Sequence, residues 1–438
     1  MSRRIDRRRF LQTSAALGIA SLTPQVSRAE KKRSPNEMLH VACIGVNGKG
    51  ESNWEAIVAG GANVVAYCDV DESRIGKIKS KFPNSPYYAD FRVLLDKQKD
   101  LDAIVVSTPD HTHAVATAAG MQLGLHAFCE KPLAHDVYEA RTLAQLAAKH
   151  KLVTQMGSQI HAGDNYRRVV EIIQTGGIGA VKEVHVWQSS SRSGGDRPKE
   201  TPPVPASLNW DLWVGPSPMR PYHPAYVPFN WRGWWDFGGG NLADMACHFM
   251  DLPFWALKLR HPTTIQAEGP PPHAESAPTA VQVKWEFPAR GEMPPVTLNW
   301  YDGGKKPTKF FAADSPVKLP AWDSAVLFVG EKGYLIADYG RHVLLPEDKF
   351  KEYKRPQPFI MNSVGHYREF VDACKTGGAT TCNFDYSGSL TETVLLGVVS
   401  YRLGSKKLEW DAEKLVAKNE PEAERFLKRE YRKGWKLV

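Results

Sequence analysis

The chain has 438 residues, 42% hydrophobic and 24% charged, the balance of a soluble globular protein long enough for two domains. Its formal charge of +8 overstates the basicity of the body, because the first 29 residues hold six arginines and one aspartate and the rest carries +3. No basic stripe runs through that remainder, so nucleic acid is excluded as an expected partner. No apolar run approaches the roughly 20 residues that cross a bilayer, so no membrane insertion is expected.

In chain order, residues 1–29 come first. Arg7-Arg8-Arg9-Phe10-Leu11-Gln12 resembles a twin-arginine export signal. A weakly apolar stretch follows from Ser14 to Leu22, and small residues at Ser27 and Ala29 suit a signal peptidase. The expectation is a signal peptide cleaved after Ala29, a folded protein carried by the twin-arginine translocase, and a periplasmic location. Residues 30–37, "EKKRSPNE", read as a mobile linker.

From residue 38 to 160 apolar runs alternate with helical patterns. "LHVACIGV", "ANVVAYCDVD", "LDAIVVSTP", "HAFCEKP" and "LVTQMGSQ" read as strands, with "ESNWEAIVAG", "ESRIGKIKSKF", "THAVATAAGMQLG" and "DVYEARTLAQLAAKH" as helices between them. That rhythm predicts a parallel, Rossmann-type sheet with right-handed crossovers. Residues 161–438 change character. After the helix "NYRRVVEIIQTGGIG" and the strand "VKEVHVWQSS", residues 194–230 form a Pro-, Gly- and Trp-rich loop. Alternating strands then dominate, "TTIQAEG", "TAVQVKWEF", "VTLNWYDG", "AVLFVGEKGYLIAD" and "RHVLLP", before the helices "HYREFVDACKTG" and "SLTETVLLGVVSYRLG". The prediction is an α/β protein whose second, α+β domain carries a large, mostly antiparallel open sheet. The six cysteines fall in apolar strand or helix patterns without a CxxC pair. They read as thiols, and no metal site is expected.

Four motifs carry chemistry. "GVNGKG", Gly45 to Gly50, joins the first strand to the first helix, where glycines let a backbone approach a pyrophosphate. Asn47 stands where a second glycine is usual, followed by Gly48 and Lys49. Asn tolerates unusual backbone angles, so the turn is retained. Asp69 ends the second strand, where an acid accepts hydrogen bonds from an adenosine ribose and repels a 2'-phosphate, favouring NAD over NADP. "STPDHTH" (Ser107, Thr108, Pro109, His111, His113) and "CEKP" (Glu130, Lys131) lie at strand ends on the same edge. In "GGGNLADMACHFMDLPFW", Asp244 and His248 share a helix face four residues apart, with Asp251 near it. Alone, that pair is more common as helix packing than as a base with its neighbour, and Asp244, His248 and Asp251 as a metal set is a further alternative.

Together and in this order the four motifs resemble the Gfo/Idh/MocA oxidoreductases, over nearly all of the chain after the signal. The resemblance implies a Rossmann domain binding NAD or NADP, a second domain walling the site, and a homo-oligomer. It makes Lys131 the lysine that polarises the reacting hydroxyl, Asp244 and His248 the substrate-side pair, and His248 the proton acceptor. Gln159 would lie near the nicotinamide and Arg232 near the cofactor, with Trp231, Trp234 and Trp235 stacking on sugar or merely packing. Three functions follow: a dehydrogenase of a sugar or polyol hydroxyl with retained cofactor, a redox-neutral enzyme that cleaves or rearranges glycosides, and a sugar-binding protein without catalysis.

Overall fold

Parallel sheets are covered on both faces, so their strands must be apolar on both sides. The computed structural model describes residues 37–438, and the central strands among its first six meet that demand. The six are β1 (Leu39–Ile44), β2 (Ala62–Cys68), β3 (Tyr87–Tyr88), β4 (Ala103–Val106), β5 (His126–Glu130) and β6 (Thr154–Gly157). All pair in parallel, in the order β3-β2-β1-β4-β5-β6. β4 is buried throughout, as is all of β5 but His126. The expected helix at 72–82 is split into a turn at Glu72–Arg74 and a helix at Gly76–Lys81, because the Asp71 side chain caps the turn separately at Ser73 N. β3 and the helix Phe91–Lys97 are too short for a sequence period to announce them.

The second sheet holds β7 (Val181–Trp187), β8 (Thr264–Glu268), β9 (Gln282–Phe287), β10 (Val296–Tyr301), β11 (Ala325–Gly330), β12 (Gly333–Ala337), β13 (His342–Leu345), β14 (Leu408–Asp411) and β15 (Val416–Ala417). Their order is β13-β12-β11-β7-β10-β9-β8-β14-β15. Every neighbouring pair is antiparallel except β7 with β10. The helix Phe384–Arg402 ties the two sheets together. It packs on the helix Val137–His150, on the helix Gly240–Phe249 and on β8. Its buried Glu392 accepts from Arg141 Nη2 at 2.8 Å and from Trp410 Nε1 at 3.1 Å, the pairing a carboxylate needs in a core.

The expected signal peptide and all but the last residue of the expected linker lie outside the described residues. Among those described, no helix is long and apolar enough to cross a membrane. The six cysteines are free thiols.

Candidate active site

A cleft of about 610 Å³ opens at the carboxyl ends of the parallel strands, the edge where such sheets receive ligands. Its floor begins at the glycine turn. Gly45 has φ +78°, and a Cβ there would stand 2.7 Å from Ser107 O. A Cβ on Gly50 would collide with Gly45 O. The second left-handed residue is Gly48 (φ +59°), not Asn47 as the sequence suggested. Asn47 instead uses its side chain, donating to Arg74 O at 3.1 Å and accepting from Arg74 Nη2 at 2.7 Å. No side chain caps the helix Lys49–Ala59 that follows, which leaves its N-terminus open to an anion. Asp69 accepts from Val46 N (3.0 Å) and Asp71 N (3.1 Å), joining the turn to the end of β2. Bare glycines and an uncapped helix start, which present N–H donors, and an accepting acid beside them fit a dinucleotide.

Two segments roof the cleft. Residues 205–231 are stitched to the end of β2 by Asn209 N on Val70 O (2.8 Å) and Glu72 N on Ser207 O (2.9 Å). Within them Trp210 and Trp213 stack at 4.7 Å, and Trp213, Tyr222 and Phe229 face the cleft. The C-terminal tail adds Trp435, whose ring lies beside Phe91 in the cleft lining. Arg432 holds that tail through Gly215 O (3.0 Å) and Asp211 O (2.8 Å).

At the other end, Lys131 follows β5, with a cis bond to Pro132. Its Nζ donates to Asp244 Oδ1 at 2.6 Å and to Asp244 O at 2.7 Å. An ammonium has three donors, so one N–H remains. Asp244, on the helix Gly240–Phe249, also receives Arg232 Nε on Oδ1 and Arg192 Nε on Oδ2, each at 3.1 Å. Burial pushes its carboxyl up, but Lys131, Arg232 and Arg192 outweigh that and hold it well below the usual carboxylate range. His248, one turn further on, lines the cleft. Among the described residues its ring makes no hydrogen bond, and its one aromatic neighbour is Tyr339, edge-on with ring centroids 6.4 Å apart. Burial first, then the Lys131 charge, push its imidazole down to about 3, so the ring is neutral at ordinary pH.

Glu130 anchors the floor. It accepts from Asn53 Nδ2 and Gln159 Nε2, both at 3.0 Å, with Lys49 Nζ at 3.6 Å. A Cβ at Gly157 would stand 2.5 Å from its carboxyl. Asp110, beside Lys131 and Arg232, is buried, and burial pushes it up to about 8 against the pull of those cations.

The structure therefore brings Gly45, Asn47, Gly48, Lys49, Asp69, Ser107, Thr108, Pro109, His113, Glu130, Lys131, Trp231, Arg232 and His248 to one cleft. Other expected site residues stand elsewhere. His111 points into the roof, with Nε2 2.8 Å from Trp213 O and its ring against Phe237. One residue around the helix from Asp110, it faces away from the strand edge. His113 edges the cleft but sets its two ring nitrogens against Pro132 O and Thr108 O, each at 2.8 Å, so both face loop carbonyls and the ring braces the loops. Gln159 sits behind Glu130 rather than in the cleft. Trp234 packs on Tyr226, and Trp235 is in the core with Nε1 on His273 O at 2.9 Å. Asp251 is not beside Asp244. It begins the next short helix, where it accepts from Tyr386 OH (2.7 Å) and lies 2.9 Å from His161 Nδ1. With Cys382 these make the one cluster of metal-ligand type among the described residues, and hydrogen bonds already engage its acid. Sequence reasoning passed over Asp110, Arg192 and Trp435. Asp110 stands inside a quoted motif, whereas the other two lie in segments with no period.

Residues 39–158 match the family model described as oxidoreductase family, NAD-binding Rossmann fold, and residues 179–292 match the one described as oxidoreductase family, C-terminal alpha/beta domain. The chain belongs to the Gfo/Idh/MocA oxidoreductase family. It is 28% identical over 158 residues to inositol 2-dehydrogenase 1 of Saccharopolyspora erythraea, covering 35% of this chain and 47% of that one. It is 28% identical over 202 residues to glycosyl hydrolase family 109 protein 1 of a Shewanella species, covering 40% and 44%. The chain thus spans under half the length of these curated relatives. Myo-inositol 2-dehydrogenase of Lactobacillus plantarum shares the fold, with a TM-score of 0.55, 17% identity, and 86% of this chain and all of that one covered.

Proposed function

We propose that the protein is an NAD-dependent oxidoreductase acting on a CH–OH group of a sugar or polyol, with its cofactor retained. The observation that carries the reading is a lysine with one spare N–H and a neutral, unpartnered histidine in the same cleft as a dinucleotide-type glycine turn. Asp69 keeps lone pairs for a ribose hydroxyl, and its charge opposes a 2'-phosphate, which supports NAD over NADP. Bound there, the dinucleotide would supply a hydride acceptor. Lys131 would hold the substrate hydroxyl through its third N–H. His248, four residues from Asp244 on one helix face, would take the hydroxyl proton onto its free ring nitrogen. Asp244 would fix the lysine in place.

The roof supports retention, and so does the export signal read at residues 7–12. Outside the cytoplasm free dinucleotide is scarce, so a protein that released it would stop after one turnover. A retained cofactor must be recycled in place, by a second substrate or within one redox-neutral reaction. The family 109 relative favours glycoside cleavage as the second reading. The assembled Lys131, Asp244 and His248 argue against a purely binding role.

Protein purified without added NAD is expected to release about one nicotinamide dinucleotide per chain on denaturation. With sugars, polyols or glycosides it is expected to turn over more than one equivalent. A stable, active protein that carries no dinucleotide would sink this reading.

A further inference from the structure

Three cations converge on one carboxylate at the substrate end of the cleft. Lys131, Arg192 and Arg232 all bind Asp244. Nearby, Lys49 faces Glu130, so the two carboxylates leave two positive charges unmatched. Each arginine spends Nε on Asp244 and Nη1 on a carbonyl, Ser191 O for Arg192 and Phe229 O for Arg232. Neither Nη2 has a hydrogen-bond partner among the described residues, and neither is sealed from solvent. Both guanidinium groups lie over the ring of Phe229, at 5.4 and 4.3 Å, which itself lines the cleft. Like charges held this close without a matching anion are costly, and guanidinium edges are suited to oxyanions.

We propose that Arg192 and Arg232 form an oxyanion clamp, so that the substrate is a sugar bearing a carboxylate or a sulfate ester. The inference rests on the proposal that this cleft takes a sugar. The clamp is not a place for the cofactor phosphates. Those belong at Gly45–Gly50, where a helix begins, whereas the arginines attach to Asp244, one helical turn from His248. The high setting of Asp110, about 8, keeps it from supplying the missing negative charge at neutral pH. Arg232 lines the cleft, and Arg192 joins it through the Asp244 carboxylate and the Phe229 ring they share, so Arg192 is a specificity residue here, set toward the substrate's charged group and not the reacting carbon.

Calorimetric titration of the protein as purified tests this. The probes are methyl glycosides in matched neutral, uronic acid and 6-sulfated forms, in the gluco, galacto and manno series. At least one charged form is expected to bind about 10- to 100-fold tighter than its neutral match, the range for a hydrogen-bonded charge. Arg192→Gln should bring the pair to within about 2-fold, with the dinucleotide still bound. Arg192→Lys, which keeps the charge, should retain part of the preference. Preference for the uronic acid names a carboxylate, and preference for the sulfated form names an ester; both support the clamp. Equal binding of neutral and charged forms, no binding of any charged form, or a preference that survives Arg192→Gln would overturn it. Tight binding of a charged form without reduction of bound dinucleotide would keep the clamp and remove the dehydrogenase reading.

Discussion

Asp110 is one carboxyl in a site where cations outnumber anions, yet burial dominates its behaviour. Its pKa of about 8 lies above its unfolded value near 4. The folded state therefore binds more protons between those values, so this group's contribution to stability is complete below about 4 and is lost as pH rises through about 8. Asp110→Asn should remove that loss. Melting temperatures of the variant and parent should diverge in the variant's favour as pH rises from about 5 to 8, then run parallel. A difference that does not change with pH would show that Asp110 is ionised throughout. The residue scale was also the most legible one in the sequence. Lys131 stood out as a charge before a proline at a strand end, whereas the acid–histidine pair of Asp244 and His248 reads alone as helix packing and gains a role only from the order of the four motifs together. Arg192 was not legible, because nothing local marks which arginine in a Ser- and Gly-rich loop turns toward a carboxylate 52 residues away.

At the scale of elements, strands buried on both faces announced themselves, as did the amphipathic helices. The roof did not. Residues 194–230 were readable only as a loop, because their order comes from aromatic stacking and from pairing with the end of β2, not from any period. The tail was silent for the same reason: Trp435 reaches the cleft through long-range contacts, Arg432 on Gly215 O and Asp211 O and the Trp435 ring on Phe91 and Arg92. These contacts make the tail part of the proposed cofactor site. Loss of a ring against a base costs about 1–3 kcal/mol, so Trp435→Ala should speed dinucleotide release by about 5- to 150-fold. Displacement of bound by labelled NAD, followed over time, measures it. Unchanged release with an unchanged melting temperature would place the adenosine end elsewhere.

At the scale of the molecule, the cleft is composite. The parallel sheet contributes the glycine turn, Asp69 and Lys131, while Asp244 and His248 arrive on a helix that packs against Phe384–Arg402. Lys131 and Asp244 are 113 residues apart and meet at 2.6 Å, a convergence that only the tertiary fold provides. The central proposal is that Lys131, fixed at this meeting point, holds the substrate hydroxyl while His248 takes its proton. Single-turnover reduction of the bound dinucleotide by a turned-over sugar, measured beside the melting temperature, tests it. His248→Ala and Lys131→Met are each expected to slow that reduction about 100- to 10,000-fold while the dinucleotide stays bound. Because His248 is already neutral, with its pKa pushed down to about 3, the parent's rate should show no acid limb near the ordinary histidine value of about 6.5. If His248→Ala reduces its dinucleotide at nearly the parental rate and only melts earlier, His248 is a packing residue and the proposed chemistry is wrong.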